Sequence, residues 1–348
     1  MIEPREAVKR MNPYLPPLEG RRGKLRLDFN ENTAGCSPAV LNAFKNLNSE
    51  DIAVYPEYER LMEELSNLLN MPAENILATN ATDEAIMVIN QTFIDRDQEV
   101  ILPVPTYAMF KIYSQIAGGS IIEVLYNEDL SFPYEKVIRR ISHDTRMVVI
   151  VSPNNPTGTD ISENHLAGIL KKAENTIVVL DEAYAHFKKS SYMNLVHKWE
   201  NLIVIQTFSK AFGMAGLRLG YIVADRNLID HMRKVRSPYS ISSTTVIAAL
   251  EAVKDREFIE KTSEEIMLCG LELIEFLKAK GILVYPSSAN FVLARFGEDA
   301  ERIETELRKN QILVRNRSND PMLQGCLRIT FGTREQTRRL MDCLENIL

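Results

Sequence analysis

The chain is poor in the residues and patterns that most often give a function away. Cysteine is scarce: Cys36, Cys269, Cys326 and Cys343 are scattered through 348 residues. No two have C-x-x-C spacing and the five histidines do not gather near them, so no metal site is expected. Isolated thiols suit a reducing compartment, and a cytoplasmic location is expected. No run approaches the roughly 18 apolar residues of a membrane span. The segment Met1 to Arg10 is charged and lacks an apolar stretch, so no secretory signal is expected. Excess positive charge is also missing: the formal net charge is -6, which gives no reason to expect a nucleic-acid partner. Basic pairs such as Arg21-Arg22 and Lys188-Lys189 are too short for a patch and read as solvated surface. No G-x-G-x-x-G follows a strand, and Gly213, Gly216 and Gly220 have the wrong spacing, which argues against a nicotinamide dehydrogenase.

What is present is a well-patterned globular chain, long enough for two domains. The first ~25 residues hold Pro4, Pro13, Pro16 and Pro17 and read as an extended arm. From about residue 57, helical periodicity alternates with short runs of Val and Ile. Strand candidates are Val100-Leu102, Ile121-Leu125, Met147-Val151, Ile177-Leu180, Leu202-Ile205 and Tyr221-Ala224. Such runs predict a mostly parallel sheet buried on both faces. The last ~100 residues open on a long amphipathic helix, about Asp255 to Lys280, followed by four strand candidates and two helices. The fold class is therefore α/β: a mostly parallel central sheet in a large domain plus a smaller α+β domain. Boundaries are placed at 1–29 (the arm, part of the small domain), 30–245 and 246–348.

In open parallel sheets, ligands bind beyond the carboxyl ends of the strands. Three successive strands here end in polar residues. Met147-Val151 leads into Ser152-Pro153-Asn154-Asn155-Pro156-Thr157-Gly158, where the prolines fix a loop that can present the Asn155 amide. A plain turn would look the same. Ile177-Leu180 ends in Asp181-Glu182-Ala183-Tyr184. An acid there is costly to ionise unless a cation faces it; a helix cap or a metal ligand are the alternatives. Leu202-Ile205 leads to Thr207, Ser209 and Lys210, with Arg218 beyond two glycines. Hydroxyls and an arginine suit a phosphate monoester. A lysine at the end of a buried strand avoids the cost of its charge by becoming a neutral amine or an imine. Alone, each feature is ordinary. Together, about 25–30 residues apart as βαβ units require, they point to pyridoxal 5′-phosphate.

At this point the chain resembles the class I/II aminotransferases of fold type I, over nearly its whole length. Within that family the likeness is nearest to the histidinol-phosphate subgroup. It rests on Asn12-Pro13-Tyr14, Leu27 to Asn32, Pro105-Thr106-Tyr107, Ser152 to Gly158, Ser209 to Arg218 and Leu327 to Glu335. The resemblance implies that Lys210 holds the cofactor and moves the proton. Asp181 would face the pyridine nitrogen, Asn155 and Tyr184 the ring oxygen, and Tyr107 the ring face. Ala81, Thr82, Thr207, Ser209 and Arg218 would bind the phosphate, with Tyr55 reaching it from the second subunit of a homodimer. Arg328 would clamp the substrate carboxylate; a strand arginine facing solvent is the alternative. Tyr14 and Arg315, with Asn30 nearby, would take a second substrate anion, whereas Arg317 reads as surface. The implied reaction is ping-pong transfer between histidinol phosphate and 2-oxoglutarate. Aromatic amino-acid transamination and threonine-phosphate decarboxylation on the same fold are the alternatives. Two departures stand out: Ala81 occupies a usual glycine position, and Ala53-Val54 lacks the arginine common before Tyr55 in the histidinol-phosphate subgroup.

Overall fold

The computed structural model describes residues 2–9 and 11–348; Met1 and Arg10 of the expected arm lie outside the described residues. Its centre is a seven-stranded sheet. In spatial order the strands are Ile76–Thr79, Gly220–Ala224, Leu202–Thr207, Ile177–Asp181, Thr145–Val151, Glu99–Val104 and Ser120–Leu125. Gly220–Ala224 runs antiparallel to both neighbours and the other pairings are parallel. The expected mostly parallel sheet is thus present. Each of the six expected runs forms a strand, and the seventh, Ile76–Thr79, was not anticipated.

The apolar runs have a simple cause. Alternate residues of one strand enter different cores: Val148 and Ile150 on one face, Met147, Val149 and Val151 on the other. With both faces covered, no polar alternation survives in the sequence.

The C-terminal region holds a four-stranded antiparallel sheet in the order Arg315–Asn316, Cys326–Thr330, Phe291–Arg295, Leu283–Val284. The helix Arg256–Ala279 precedes it. The arm joins this region: Leu25–Arg26 pairs in parallel with Ile312–Leu313. The expected continuous strand at Ile312-Arg315 is split in two, its halves pairing with different partners. Within the arm, Glu6–Lys9 forms one helical turn rather than extended chain. The 245/246 boundary falls inside the helix Ser243–Lys254, and the helical run breaks instead at Asp255, which caps the next helix.

Two basic side chains expected on the surface are mostly buried. Arg21 is 12% exposed, bridges Asp28 and Glu31 at 2.7 Å each, and lies 3.9 Å above the Phe29 ring. Lys188 is also 12% exposed and pairs with Asp160 at 2.9 Å. The partners sit in irregular segments, seven and ten residues from Arg21 and 28 from Lys188, where no helical or strand period signals a pairing. All four cysteines are free thiols. Among the described residues, no helix is long and apolar enough to cross a membrane.

Candidate active site

Four adjacent parallel strands end at the same edge, and each carries a candidate residue just beyond its end. Glu99–Val104 leads to Tyr107, Thr145–Val151 to Asn155, Ile177–Asp181 stops on Asp181, and Leu202–Thr207 leads to Lys210. The antiparallel strand Gly220–Ala224 starts at this edge, which brings Arg218 here. The Ile76–Thr79 strand ends here too, which adds Ala81, Thr82 and Asp83. Sheet topology alone therefore gathers residues from Ala81 to Arg218 at one edge.

Lys210 Nζ donates to the Phe29 carbonyl at 2.9 Å. Burial, helped by the charges of Arg328 and Arg218, pulls its amine down to about 8, against the opposing pull of Glu31 and Asp83. Asp181 is 3% exposed. Its Oδ1 accepts from the Ala183 amide at 2.9 Å. Burial nevertheless pushes this carboxyl up to about 7, with Asp83 and Glu182 adding to the effect. Tyr184 is buried, and its oxygen accepts a bond from Asn30 Nδ2 at 2.8 Å. Burial pushes its phenol up to about 12.

One wall is a cradle of hydroxyls around an arginine. Arg218 Nη1 donates to Ser209 Oγ at 3.3 Å, and the Ser209 amide donates to Thr207 Oγ1 at 3.0 Å. Arg218 Nη2 reaches Asp83 Oδ2 at 3.0 Å, and the Tyr107 hydroxyl donates to Asp83 Oδ1 at 2.8 Å. Burial and the Asp83 charge raise the Tyr107 phenol well above its ordinary value. Asp83 was not anticipated as a site residue: an acid in a helix's first turn reads as favourable charge there. The helix Ala81–Phe93 opens on the cradle. Ala81 has φ +57°, so the alanine in this turn does sit in the left-handed region, where a side chain costs about 1–2 kcal/mol. Gly220 lets that turn lie flat on the sheet; a Cβ there would come within 2.8 Å of the Ala81 backbone.

The opposite wall is cationic. Arg328 is 5% exposed; its Nη1 bonds Asn155 Oδ1 and its Nη2 bonds the Asp28 carbonyl. Its Nε is buried without a partner. Burial and the charges of Arg317 and Arg315 pull this guanidinium down to about 10, while Tyr184 and Tyr14 oppose them. Arg315 stands directly across the strand pair from Arg328. The surface expectation for Arg317 fails: its side chain is 16% exposed and ion-paired to Asp320, three residues on. The Tyr14 phenol sits close enough to Arg317 and Arg328 to act on both charges.

Two further candidates lie on neither wall. Asn30, expected beside this second anion site, is 1% exposed with its side chain turned to Tyr184 and Thr330. Tyr55 is 72% exposed and stacks on Tyr239, ring centroids 4.4 Å apart.

The residues fit a phosphorylated pyridine aldehyde. Among the described residues the buried Asp181 forms no ion pair, and Lys210 only partly offsets its burial, which suits a protonated ring nitrogen. Among the described residues no acceptor takes the proton of the Tyr184 hydroxyl, so it is free for an anionic ring oxygen. The cradle holds hydroxyls, an arginine and a helix start for a phosphate.

Comparison with known proteins agrees. Residues 22–344 match the family description aminotransferase class I and II. The chain is 36% identical over 348 residues to a histidinol-phosphate aminotransferase of Caldanaerobacter subterraneus, covering 99% of this chain and 98% of that one. Among solved structures, the histidinol-phosphate aminotransferase of Clostridium acetobutylicum superposes with a TM-score of 0.86 at 26% identity, covering 93% and 98% of the two chains. That of Sinorhizobium meliloti, in complex with pyridoxal-5′-phosphate, shares the fold with a TM-score of 0.88 at 23% identity, covering 99% and 96%.

Proposed function

The chain belongs to the class I and II aminotransferase family and is a pyridoxal-phosphate-dependent aminotransferase; on that premise we propose that its amino donor is histidinol phosphate and that 2-oxoglutarate is the acceptor. The observation that carries this reading is the paired cation Arg315 opposite Arg328, with Tyr14 and Arg317 beside them. One cation takes a carboxylate, as glutamate and 2-oxoglutarate need. The rest of the cluster leaves positive charge for the donor's phosphate, the one anion that histidinol phosphate carries.

The cofactor, when bound, supplies an electron-withdrawing ring through which an amino group and a proton change places between an amine and a carbonyl compound. Lys210 would hold it and would serve as the base and acid that carries the transferred proton. Asp181 holds the ring nitrogen protonated. Asn155 and Tyr184 hydrogen-bond the ring oxygen, and Tyr107 covers the ring face. The Ala81 and Thr82 amides, Thr207, Ser209 and Arg218 anchor the phosphate. Arg328 would fork the carboxylate of glutamate or 2-oxoglutarate, Tyr14 and Arg315 would orient the phosphate of the donor, and Asn30 supports the site from behind.

Tyr55 is the basis for proposing a homodimer with shared sites in the cytoplasm. It projects from a patch in which Ile52, Val54 and Tyr239 are also more than half exposed, the kind of surface that marks an interface. From there it would reach the neighbouring copy's cradle. Sedimentation should give twice the chain mass, and a monomer at micromolar concentration would refute the shared site. The three-part division also stands as a proposal, with its second joint moved to Asp255.

A half-reaction screen tests the substrate. The loaded enzyme is mixed singly with histidinol phosphate, glutamate, phenylalanine, tyrosine and threonine phosphate, and the change in its visible absorbance is followed. Histidinol phosphate and glutamate should convert it fastest. Conversion by phenylalanine or tyrosine but not histidinol phosphate would favour the aromatic reading. Release of carbon dioxide from threonine phosphate would favour the decarboxylase.

A further inference from the structure

Asn30 is held more completely than a substrate contact requires. Its φ is +55°, a left-handed conformation that asparagine tolerates better than most residues. Its backbone amide donates to Thr330 Oγ1 at 3.0 Å, and its backbone carbonyl accepts from Asn290 Nδ2 at 3.3 Å. The Thr330 hydroxyl, fully buried, donates back to Asn30 Oδ1 at 3.2 Å. This reciprocal pair fixes which way the side-chain amide faces. A flipped amide would leave the buried Thr330 proton without an acceptor, a cost of about 1–3 kcal/mol. In the observed orientation Asn30 Nδ2 must point at Tyr184, and it donates to that oxygen at 2.8 Å. A hydroxyl that receives a bond from one side presents its proton on another.

We propose that Asn30 is a positioning residue for the reaction: its locked amide donates into the Tyr184 oxygen and so obliges Tyr184 to present its proton to the cofactor's ring oxygen. The inference deepens the reading of the cofactor site and rests on it. Its chemical consequence is directional. A donated bond makes a phenol a better donor in turn. A stronger bond from Tyr184 to the ring oxygen stabilises negative charge there, which lowers the pH at which the lysine-bound cofactor loses its proton. The link joins three distant parts of the chain: the segment after the arm, the strand Cys326–Thr330, and the loop after Ile177–Asp181.

The test is a spectrophotometric pH titration of the loaded enzyme's visible band, together with the cofactor dissociation constant. Asn30→Gly removes the amide with no backbone strain at φ +55°, at the cost of the Thr330 bond. Asn30→Asp keeps the shape and the Thr330 bond but replaces the donor with an acceptor that would draw the Tyr184 proton away. The titration midpoint should rise by about half to one pH unit in Asn30→Gly, and further in Asn30→Asp, where the cofactor should also bind several-fold more weakly. Thr330→Val, which unlocks the amide, should shift the midpoint less, and Thr330→Ser should restore it. Thermal unfolding of each variant shows that it is folded, and Thr330→Val keeps the test open should either Asn30 variant unfold. Wild-type midpoints in both Asn30 variants, alongside a shifted midpoint in Tyr184→Phe, would overturn the proposal. An unshifted Tyr184→Phe would overturn it as well. Failure of the cofactor reading itself is separate: borohydride would then leave no added mass on the Lys210 peptide of the wild-type protein.

Discussion

Replacing Lys210 with alanine is expected to abolish turnover, by at least about 10⁴-fold, while the cofactor still binds through its phosphate and ring contacts. The argument starts from burial. An ordinary lysine amine is about one-thousandth neutral at pH 7.5, but one lowered to about 8 is roughly one-quarter neutral. Two hundred times more of the nucleophile is thus ready to attack a carbonyl. The bond to the Phe29 carbonyl keeps Nζ beside the strand edge rather than letting four methylenes wander. The second half of the effect concerns the proton. Asp181, Tyr184 and Tyr107 are engaged with the ring in this reading, and Asp83 is tied to Arg218 and Tyr107, so no other group at the strand edge can take over the transfer. Initial rates with glutamate and 2-oxo acids, and the visible spectrum of the variant, measure the two halves separately. Wild-type-like transamination by Lys210→Ala would remove the assignment of both roles.

Much of this site could be read in the chain before its fold was known, and for one reason. A doubly covered parallel sheet writes uninterrupted Val and Ile runs into the sequence, and catalysis at its carboxyl edge places polar residues directly after them. Asp181, Asn155 and Lys210 follow that rule. Asp83 did not stand out, because the strand before it, Ile76–Thr79, is four residues long and gives no periodic signal. Its role depends on Arg218, 135 positions away. Arg317 was misjudged because its side chain is mostly buried and ion-paired to Asp320, which no apolar run in the sequence signals. Asn30 shows the same limit most sharply. Its partners Tyr184 and Thr330 are 154 and 300 positions distant, so the sequence could suggest that it mattered but not what it touches. Contacts made by topology become legible only when the topology is known.

Asp181→Asn should cost activity and add stability, and the pH dependence of the gain identifies its cause. In the folded protein this carboxyl is pushed up from 3.8 to about 7, chiefly by burial. At pH below 3.8 it is protonated in the folded and unfolded chains alike and carries no penalty. Between there and about 7 the unfolded chain has lost the proton while the folded one keeps it, so stability falls as pH rises. Above about 7 the penalty is complete, up to about 4 kcal/mol. Asparagine cannot ionise and still accepts the Ala183 amide. The cofactor-free variant should therefore nearly match wild type in melting temperature near pH 4 and exceed it by up to about 5 °C at pH 8. A protonated ring nitrogen supplies the cation that the carboxylate lacks, so the loaded wild-type protein should lose this pH sensitivity. The loaded variant should turn over about 10²–10³-fold more slowly, because the fixed charge that holds the nitrogen protonated is gone. Equal melting curves for the two cofactor-free proteins at pH 8 would mean that Asp181 is already paired. A buried carboxyl whose cost a bound cation would relieve is what a site for a protonated ring requires.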